Sequence, residues 1–183
     1  MRPTHRYIMR SITYGIESAP HQLSVFFDIQ SPDFVSFFNQ ILPLIRQVWV
    51  EDGEAQISLI PYPLSQETIF FMFCYDTLEP LQRQIFFELL MEMDSPTIDS
   101  MGTLLSMLIG HSYGLAEQFK LHTPALLQEV NILRDQYQFE TSPVLFFDDS
   151  LLSEQEQRNL FAFLNNCQIN LEENNIYSSG STT

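Results

Sequence analysis

The sequence predicts an α/β domain that is interrupted by a long helical block. An apolar run rich in Val and Phe, Leu23 to Ile29, has the composition of a buried strand. The run from Ala55 to Pro61 alternates apolar and polar residues, as a half-buried strand does. Every strong signal from Ser65 to Phe139 is helical, and Val144 to Asp148 then predicts a return to the sheet. A chain of 183 residues with 45% hydrophobic side chains can bury one sizeable core, so one domain is expected.

The first helix is predicted to begin directly after the first buried strand. Ser31 is a good N-cap, Pro32 suits the first helical position, and Asp33 places a negative charge beside the positive helix end. The helix is expected to run to about Val48, with a kink near residue 40 caused by Pro43. Its apolar residues recur every three or four positions and form one stripe: Phe34, Phe37, Phe38, Ile41, Leu42, Ile45 and Val48.

The remaining elements are predicted from caps, turns and short apolar runs. Arg6 to Thr13 is a candidate edge strand. Within the helical block, the pairs Ser95-Pro96 and Thr123-Pro124 read as caps with a first-turn proline, and three glycines act as punctuation: Gly102, Gly110 and Gly114.

After the Val144 strand, only Leu151-Leu152 remain for a further strand, which must be very short or absent. Ser153 with Glu156 forms a capping box for a last helix, Glu154 to Asn165, whose inward residues are expected to be Leu160, Phe161 and Leu164. The predicted domain covers residues 1–166. The polar tail, 167–183, is expected to be disordered.

Charge and cysteine usage restrict the function classes. The formal net charge of −15 repels phosphate backbones and anionic membranes, so nucleic acid is a poor partner. No apolar run is long enough to cross a bilayer, and no secretory signal is visible, so the expected location is cytoplasmic, or periplasmic if a signal peptide was removed. The separation of Cys74 and Cys167 in the sequence matches neither a redox motif nor a metal site. Both are interpreted as small buried hydrophobic residues. The four histidines have no metal spacing and receive no role, and no metal is expected.

Three stretches carry a resemblance to a known family. The run YGIESAPHQLSVFFDIQSPDFVSFF, residues 14–38, resembles the opening of DsbA-like thioredoxin domains, in which an Ala-Pro, an apolar strand, an Asp and a Gln-Cys-Pro-X-Cys run follow in this order. PYPL, residues 61–64, resembles the family's Pro-Phe-Pro-Leu. TSPVLFF, residues 141–147, resembles its cis-proline loop and following strand. The resemblance implies a thioredoxin-like fold with a helical insertion at about residues 65–139.

The resemblance also places Ser31-Pro32-Asp33-Phe34 where an oxidoreductase carries Cys-X-X-Cys. Exchange needs one thiolate to attack a disulfide and a second thiol to resolve the mixed intermediate, and neither Ser31 nor Phe34 supplies a sulfur. Ser31 is then either a helix cap or part of a binding site at the helix N-terminus, which attracts carboxylates or thiolates. Phe34 most simply adds to the core.

Ser142-Pro143 forms the other half of the implied site. In thioredoxin-like proteins this proline is cis and turns the backbone of the preceding residue outward, so that an extended peptide can pair with it. The resemblance implies that this surface survives in the present chain. A rigid turn before the Val144 strand is the structural alternative.

Three functions follow. The first is a redox-inactive module that binds a peptide or protein, without a cofactor, through a groove formed by Ser31, Pro32, Asp33, Phe34, Ser142 and Pro143. The second is a glutathione-dependent enzyme resembling kappa-class transferases and hydroxychromene carboxylate isomerases, which carry a Ser-Pro at this position. There Ser31 would donate a hydrogen bond to the glutathione thiolate. Residual redox activity of Cys74 or Cys167 is third. The acid Asp33 disfavours a bound thiolate, so the first reading is preferred.

Overall fold

The computed structural model describes residues 10–93, 95–110 and 114–163. Its centre is a mixed sheet of five strands: β1 Ile12–Tyr14, β2 His21–Phe27, β3 Ala55–Pro61, β4 Val144–Phe147 and β5 Ser150–Leu151. Their order across the sheet is β1-β3-β2-β4-β5, with β2 parallel to β3 and the other neighbours antiparallel. The predicted α/β class with a helical insertion is confirmed.

The bounds of β2, β3 and β4 agree with the sequence prediction to within two residues. The edge strand predicted at Arg6 to Thr13 differs, because Arg10 and Ser11 precede β1, which begins at Ile12. β3 has the predicted limits, whereas β2 begins and ends two residues earlier than predicted. β2 ends at Phe27 because the N–H of Asp28 donates to the Ser142 hydroxyl instead of continuing the ladder. β4 ends one residue before Asp148, where the backbone enters the left-handed region with a φ of 45°. Of the predicted edge strand Arg6 to Thr13, residues 6–9 lie outside the described part of the chain.

The helical segment after β2, here called α1, spans residues 32–50. It alternates between α-helix and π-helix: Pro32–Ser36, Phe37–Ile41, Leu42–Ile45 and Arg46–Val50. The first π-turn, Phe37–Ile41, spans the position near residue 40 where the sequence predicts a kink. Pro43 has no N–H to donate, and its ring crowds the carbonyl four residues back, so the preceding turn widens and Leu42 N–H donates to the Phe37 carbonyl. The predicted apolar stripe packs into the core as expected.

Four helices form the insertion between β3 and β4. They are α2 Gln66–Thr77, α3 Pro80–Met91, α4 Ile98–Ile109 and α5 Leu115–Tyr137. The largest buried aromatic side chains on α2 and α3, Phe71, Phe86 and Phe87, contact one another. Phe87 also contacts Phe27 of β2, which ties the insertion to the sheet.

Two predicted helix starts in the insertion are wrong. The cap of α4 is Thr97, not Ser95, because Thr97 and Ser100 exchange side-chain and backbone hydrogen bonds in a capping box. Thr123-Pro124 lies inside α5. The Thr123 hydroxyl donates back to the Phe119 carbonyl at 2.6 Å, a contact that belongs to a helix interior.

Two of the three glycines that were predicted to interrupt the helical block lie at helix ends. Gly110 caps the end of α4 and Gly114 precedes α5, both with a left-handed φ near 78° that favours glycine. Gly102 lies inside α4, so its prediction as a break is wrong. Its position faces the Phe70 ring of α2, 3.9 Å from where a Cβ would stand.

The chain after β4 follows the prediction as far as it is described. β5 has two residues, as the short Leu151-Leu152 run requires. Ser153 and Glu156 form the predicted capping box, and residues 154–163, here called α6, are helical. Leu160 and Phe161 pack against the core. The predictions for Leu164, Asn165, Cys167 and the tail lie outside the described residues.

Within residues 10–93, 95–110 and 114–163, none of the helices combines the length and apolar character needed to cross a bilayer.

Candidate functional site

Ser31 starts α1 at the end of the sheet where β2 leads into the loop 28–30. Its backbone is extended, with a φ of −74° and a ψ of 117°, and its hydroxyl oxygen accepts a hydrogen bond from the Phe34 N–H at 3.3 Å. Pro32 follows at the first helical position. Ser31 is therefore the N-cap that its sequence context predicted.

The same hydroxyl joins the two halves of the predicted site. Ser31 Oγ donates to the carbonyl oxygen of Ser142 at 2.6 Å. The Ser142–Pro143 peptide bond is cis, the form expected from the TSPVLFF loop. Ser142 is 7% exposed, Pro143 is half-buried, and Val144 then enters β4 opposite Phe26 of β2. The structure therefore places the residues of both predicted halves side by side.

A buried carboxylate underlies this junction. Asp28 is 3% exposed, and its Oδ2 accepts from the N–H groups of Leu64 and Ser65 at 2.9 and 2.6 Å. Its Oδ1 accepts from Gln30 N–H at 2.8 Å and from the Ser65 hydroxyl at 2.9 Å. One side chain thus fixes the loop after β2 to the PYPL segment before α2.

The loop between β2 and α1 has every backbone N–H satisfied. Asp28 N–H donates to Ser142 Oγ at 2.7 Å, and Ile29 N–H donates to the Thr68 hydroxyl oxygen at 3.0 Å. Gln30 N–H bonds the Asp28 carboxylate, and Ser31 N–H bonds the Asp28 carbonyl at 3.0 Å. Four consecutive donors with partners hold Ser31 in one position.

Phe34 belongs to the core, as predicted. Its side chain is fully buried and stacks on Phe27, with ring centroids 4.4 Å apart and planes at 16°. Pro32 and Asp33 are exposed, so they form the outer surface of this helix start. Of the predicted site residues, Phe34 therefore supports the surface from beneath and does not line it.

Asp28 is the residue that sequence reasoning missed as part of the site. It entered the prediction only as a landmark after the apolar strand. The available signal was an acid placed directly between a buried strand and a helix cap, where it can become buried only if several donors surround it.

Several solved structures have an architecture similar to that of this chain. BdbD from Bacillus subtilis, in its oxidised form, matches with a TM-score of 0.66 at 15% identity, over 86% of this chain and 95% of that one. DsbA of Chlamydia trachomatis matches with a TM-score of 0.61 at 19% identity, over 92% and 95%. MdbA, a thiol-disulfide oxidoreductase from Actinomyces oris, matches with a TM-score of 0.52 at 17% identity, over 79% and 77%.

The chain has a DsbA-like thioredoxin fold. The predicted resemblance is confirmed at the level of the fold. No protein-family model matches the sequence, and no curated protein matches it.

The described cysteine of this DsbA-like fold is remote from Ser31 in sequence and in environment. Cys74 lies within α2 with no exposed surface. Burial raises the pKa of its thiol far above the ordinary value, and a backbone hydrogen bond offsets only part of that effect. Since the thiolate is the reactive form, Cys74 has the properties of a core residue. Cys167 lies outside the described residues.

The described residues contain no group of three or more His, Cys, Asp or Glu side chains placed to hold an ion. Two of the four histidines have hydrogen-bond partners: His21 Nδ1 bonds the Asp148 carboxylate at 2.8 Å, and His122 Nδ1 bonds the Gln118 carbonyl.

Proposed function

We propose that this chain is a redox-inactive DsbA-fold protein that binds an extended peptide segment of a partner protein. The observation that carries the proposal is the hydrogen bond from Ser31 Oγ to the Ser142 carbonyl. At the two positions where the resemblance places an attacking cysteine and a peptide-pairing residue, the chain has a hydroxyl and a carbonyl bonded to each other. Phe34, at the position of the resolving cysteine, is a core side chain.

The backbone at Ser142 supports strand addition. A carbonyl oxygen has two lone pairs, so the Ser142 carbonyl can accept from a peptide N–H besides Ser31. In the described part of the chain, no acceptor is found for the Ser142 N–H. One donor and one spare acceptor on a single residue are the groups through which an added strand pairs with a sheet edge.

The surface around this backbone favours a basic peptide. Asp33, two residues after Ser31, and Glu140, two residues before Ser142, are exposed, and the whole chain is strongly acidic. Complementary charge speeds association and selects among partners. The partner proposed here is therefore an extended segment with basic side chains.

Peptides selected from a random display library on the immobilised protein should be extended and basic. In an NMR titration, they should shift the backbone amides of Gln30 to Phe34 and of Thr141 and Ser142 more than other amides. The Asp33→Asn variant should weaken their binding, whereas Asp99→Asn, an exposed acid on α4 far along the chain, should not. Selected peptides that perturb a different surface would contradict the proposal.

The protein should neither reduce insulin disulfides nor oxidise a reduced peptide faster than its free thiols allow, because both sulfurs of the exchange pair are missing. The background is set by a Cys74→Ala, Cys167→Ser variant in the same assays. If the wild-type protein turns over substrate and this variant does so at the same rate, the claim of redox inactivity is wrong.

The glutathione-dependent alternative is less well supported. Its Ser31 must donate to a thiolate, but the hydroxyl hydrogen is already directed to the Ser142 carbonyl. Asp33 adds a negative charge at the same helix end. The cytoplasmic location remains a prediction from the sequence, to be checked by cell fractionation.

A thermal-shift measurement separates the two readings. If Ser31 serves as a cap and a tie to Ser142, glutathione at millimolar concentration leaves the Tm unchanged, since only a ligand of the native state raises it. Ser31→Ala should then lower the free energy of unfolding by about 0.5–2 kcal/mol, the usual cost of losing a cap. Ser31→Thr, which keeps the hydroxyl, is the control and should lose less. A rise in Tm with glutathione that disappears in Ser31→Ala would favour the enzyme.

A further inference from the structure

A second candidate site lies at the opposite end of the sheet from Ser31. It is a pocket of about 250 Å³ lined by His21, Trp49, Glu54, Ala55 and Phe147. His21 begins β2, whereas the Ser31 loop follows the other end of that strand. Six residues of extended chain separate the strand ends by about 20 Å. The pocket is therefore separate from the proposed peptide surface.

Three aromatic rings form one wall of this pocket. The Phe147 ring lies between the other two, with its centroid 5.2 Å from that of His21 and 5.8 Å from that of Trp49. Trp49 is in the last turn of α1, and Phe147 ends β4, where it pairs with Leu23 of β2. Three separate elements thus hold the rings, and the sheet register fixes two of them.

Glu54 brings a negative charge to the same pocket. Its backbone is held on both sides, because its N–H donates to the Trp49 carbonyl at 2.9 Å and its carbonyl accepts from His21 N–H at 3.2 Å. No salt bridge to Glu54 occurs among the residues whose structure is described. Two more exposed acids, Glu51 and Asp52, belong to the same turn.

Asp148 lies beside His21 and pairs with its Nδ1 at 2.8 Å. Slight burial raises the pKa of the Asp148 carboxyl, but a hydrogen bond from the Gln22 N–H and the hydrogen bond and Coulombic attraction of His21 outweigh it, so the pKa lies below its ordinary value. The carboxylate therefore stays ionised near neutral pH. An anionic ligand would meet repulsion from this side of the pocket, and a cation would not.

We propose that this pocket binds a small organic cation of the quaternary or alkylated ammonium class. Aromatic faces attract cations through their quadrupoles, and a weakly hydrated alkylammonium loses little by leaving water for such a wall. A compact metal ion would need several oxygen or nitrogen ligands, and Glu54 is the single carboxylate among the lining residues. The combination of aromatic rings and one carboxylate in the lining fits an alkylammonium best.

Trp49 makes the proposal directly measurable, because it is the only tryptophan in the chain. The intact protein is titrated with choline, with ionic strength held constant by sodium chloride, while Trp49 emission is recorded. The expected result is a saturable change in emission. The neutral analogue 3,3-dimethylbutan-1-ol, which has carbon in place of the ammonium nitrogen, should bind about tenfold more weakly because it lacks the cation–π and charge attraction.

Variants locate the binding and test its chemistry. Glu54→Gln removes the charge but keeps the shape of the side chain, and we expect choline affinity to fall about threefold to tenfold. Glu117→Gln makes the same charge change at an exposed position of α5, outside the pocket, and should leave affinity unchanged. Phe147→Leu should also weaken binding, with folding checked by circular dichroism. Emission that does not saturate with choline, equal affinity for the neutral analogue, or equal effects of Glu54→Gln and Glu117→Gln would each overturn the proposal.

Discussion

Replacing Phe34 with alanine is expected to lower the free energy of unfolding by about 3–5 kcal/mol, the range for deleting a buried aromatic ring. Phe34 has no exposed surface, and its ring stacks on Phe27 and contacts Phe38. The ring sits between α1 and the sheet, where backbone on both sides limits collapse into the cavity. Chemical denaturation monitored by circular dichroism measures the loss.

Two variants, one at position 34 and one at the neighbouring position 33, serve as controls for the Phe34→Ala result. Phe34→Leu keeps most of the apolar volume and should cost clearly less than Phe34→Ala. Asp33→Ala changes the exposed neighbour and should alter the free energy of unfolding by no more than about 0.5 kcal/mol. A Phe34→Ala loss as small as that of Asp33→Ala would mean that Phe34 is not part of the core.

Under the proposed function, the burial of Phe34 opposes thiol exchange at this site. The exchange motif implied by the resemblance has a cysteine at position 34, and the core of this chain has a phenyl ring there. Replacing Phe34 with cysteine would remove most of the ring and leave a cavity beside Phe27. The proposed absence of a resolving sulfur is thus coupled to the packing of the core, whereas Ser31 differs from cysteine by one atom.

Local patterns were sufficient to predict the central strands and the Ser31 helix cap. Alternation in Ala55–Pro61 and the apolar run before Asp28 reflect burial on particular faces, which the sequence records directly. The Ser31 cap follows from three consecutive residues. That Ser31 meets Ser142 could be expected only from the resemblance, because no local pattern relates residues 111 positions apart.

The missed features depend on distant contacts or on ambiguous local signals. Thr123-Pro124 resembles a helix start, but the same pair can continue a helix when the Thr123 hydroxyl bonds back to Phe119. The π-turn before Pro43 leaves the apolar stripe in place, so the pattern does not distinguish it from an α-helix. The Trp49 pocket draws its lining from separate segments, which only the folded chain brings together.

Asp28 should be the polar residue most sensitive to substitution, because its carboxylate accepts four hydrogen bonds in a buried position. Asp28→Ala leaves the donors on Gln30, Leu64 and Ser65 without their acceptor. It should lower the free energy of unfolding by about 3–5 kcal/mol, because each buried donor without a partner costs about 1–3 kcal/mol. Denaturation of the variant at neutral pH measures the loss.

Asp28→Asn tests whether the acceptor chemistry, and not merely the volume, is responsible. The amide keeps the shape but replaces one acceptor oxygen with an NH₂ group that faces donors, so we expect a loss of about 1.5–3 kcal/mol. Amide hydrogen exchange at Leu64 and Ser65 should accelerate in this variant. Asp33→Asn, the same change at an exposed position five residues along the chain, should lower the free energy of unfolding by less than about 1 kcal/mol and leave the exchange at Leu64 and Ser65 unaltered. If the Asp28→Asn protein matched Asp33→Asn in both measurements, the carboxylate would not be what holds the Ser31 loop to the PYPL segment.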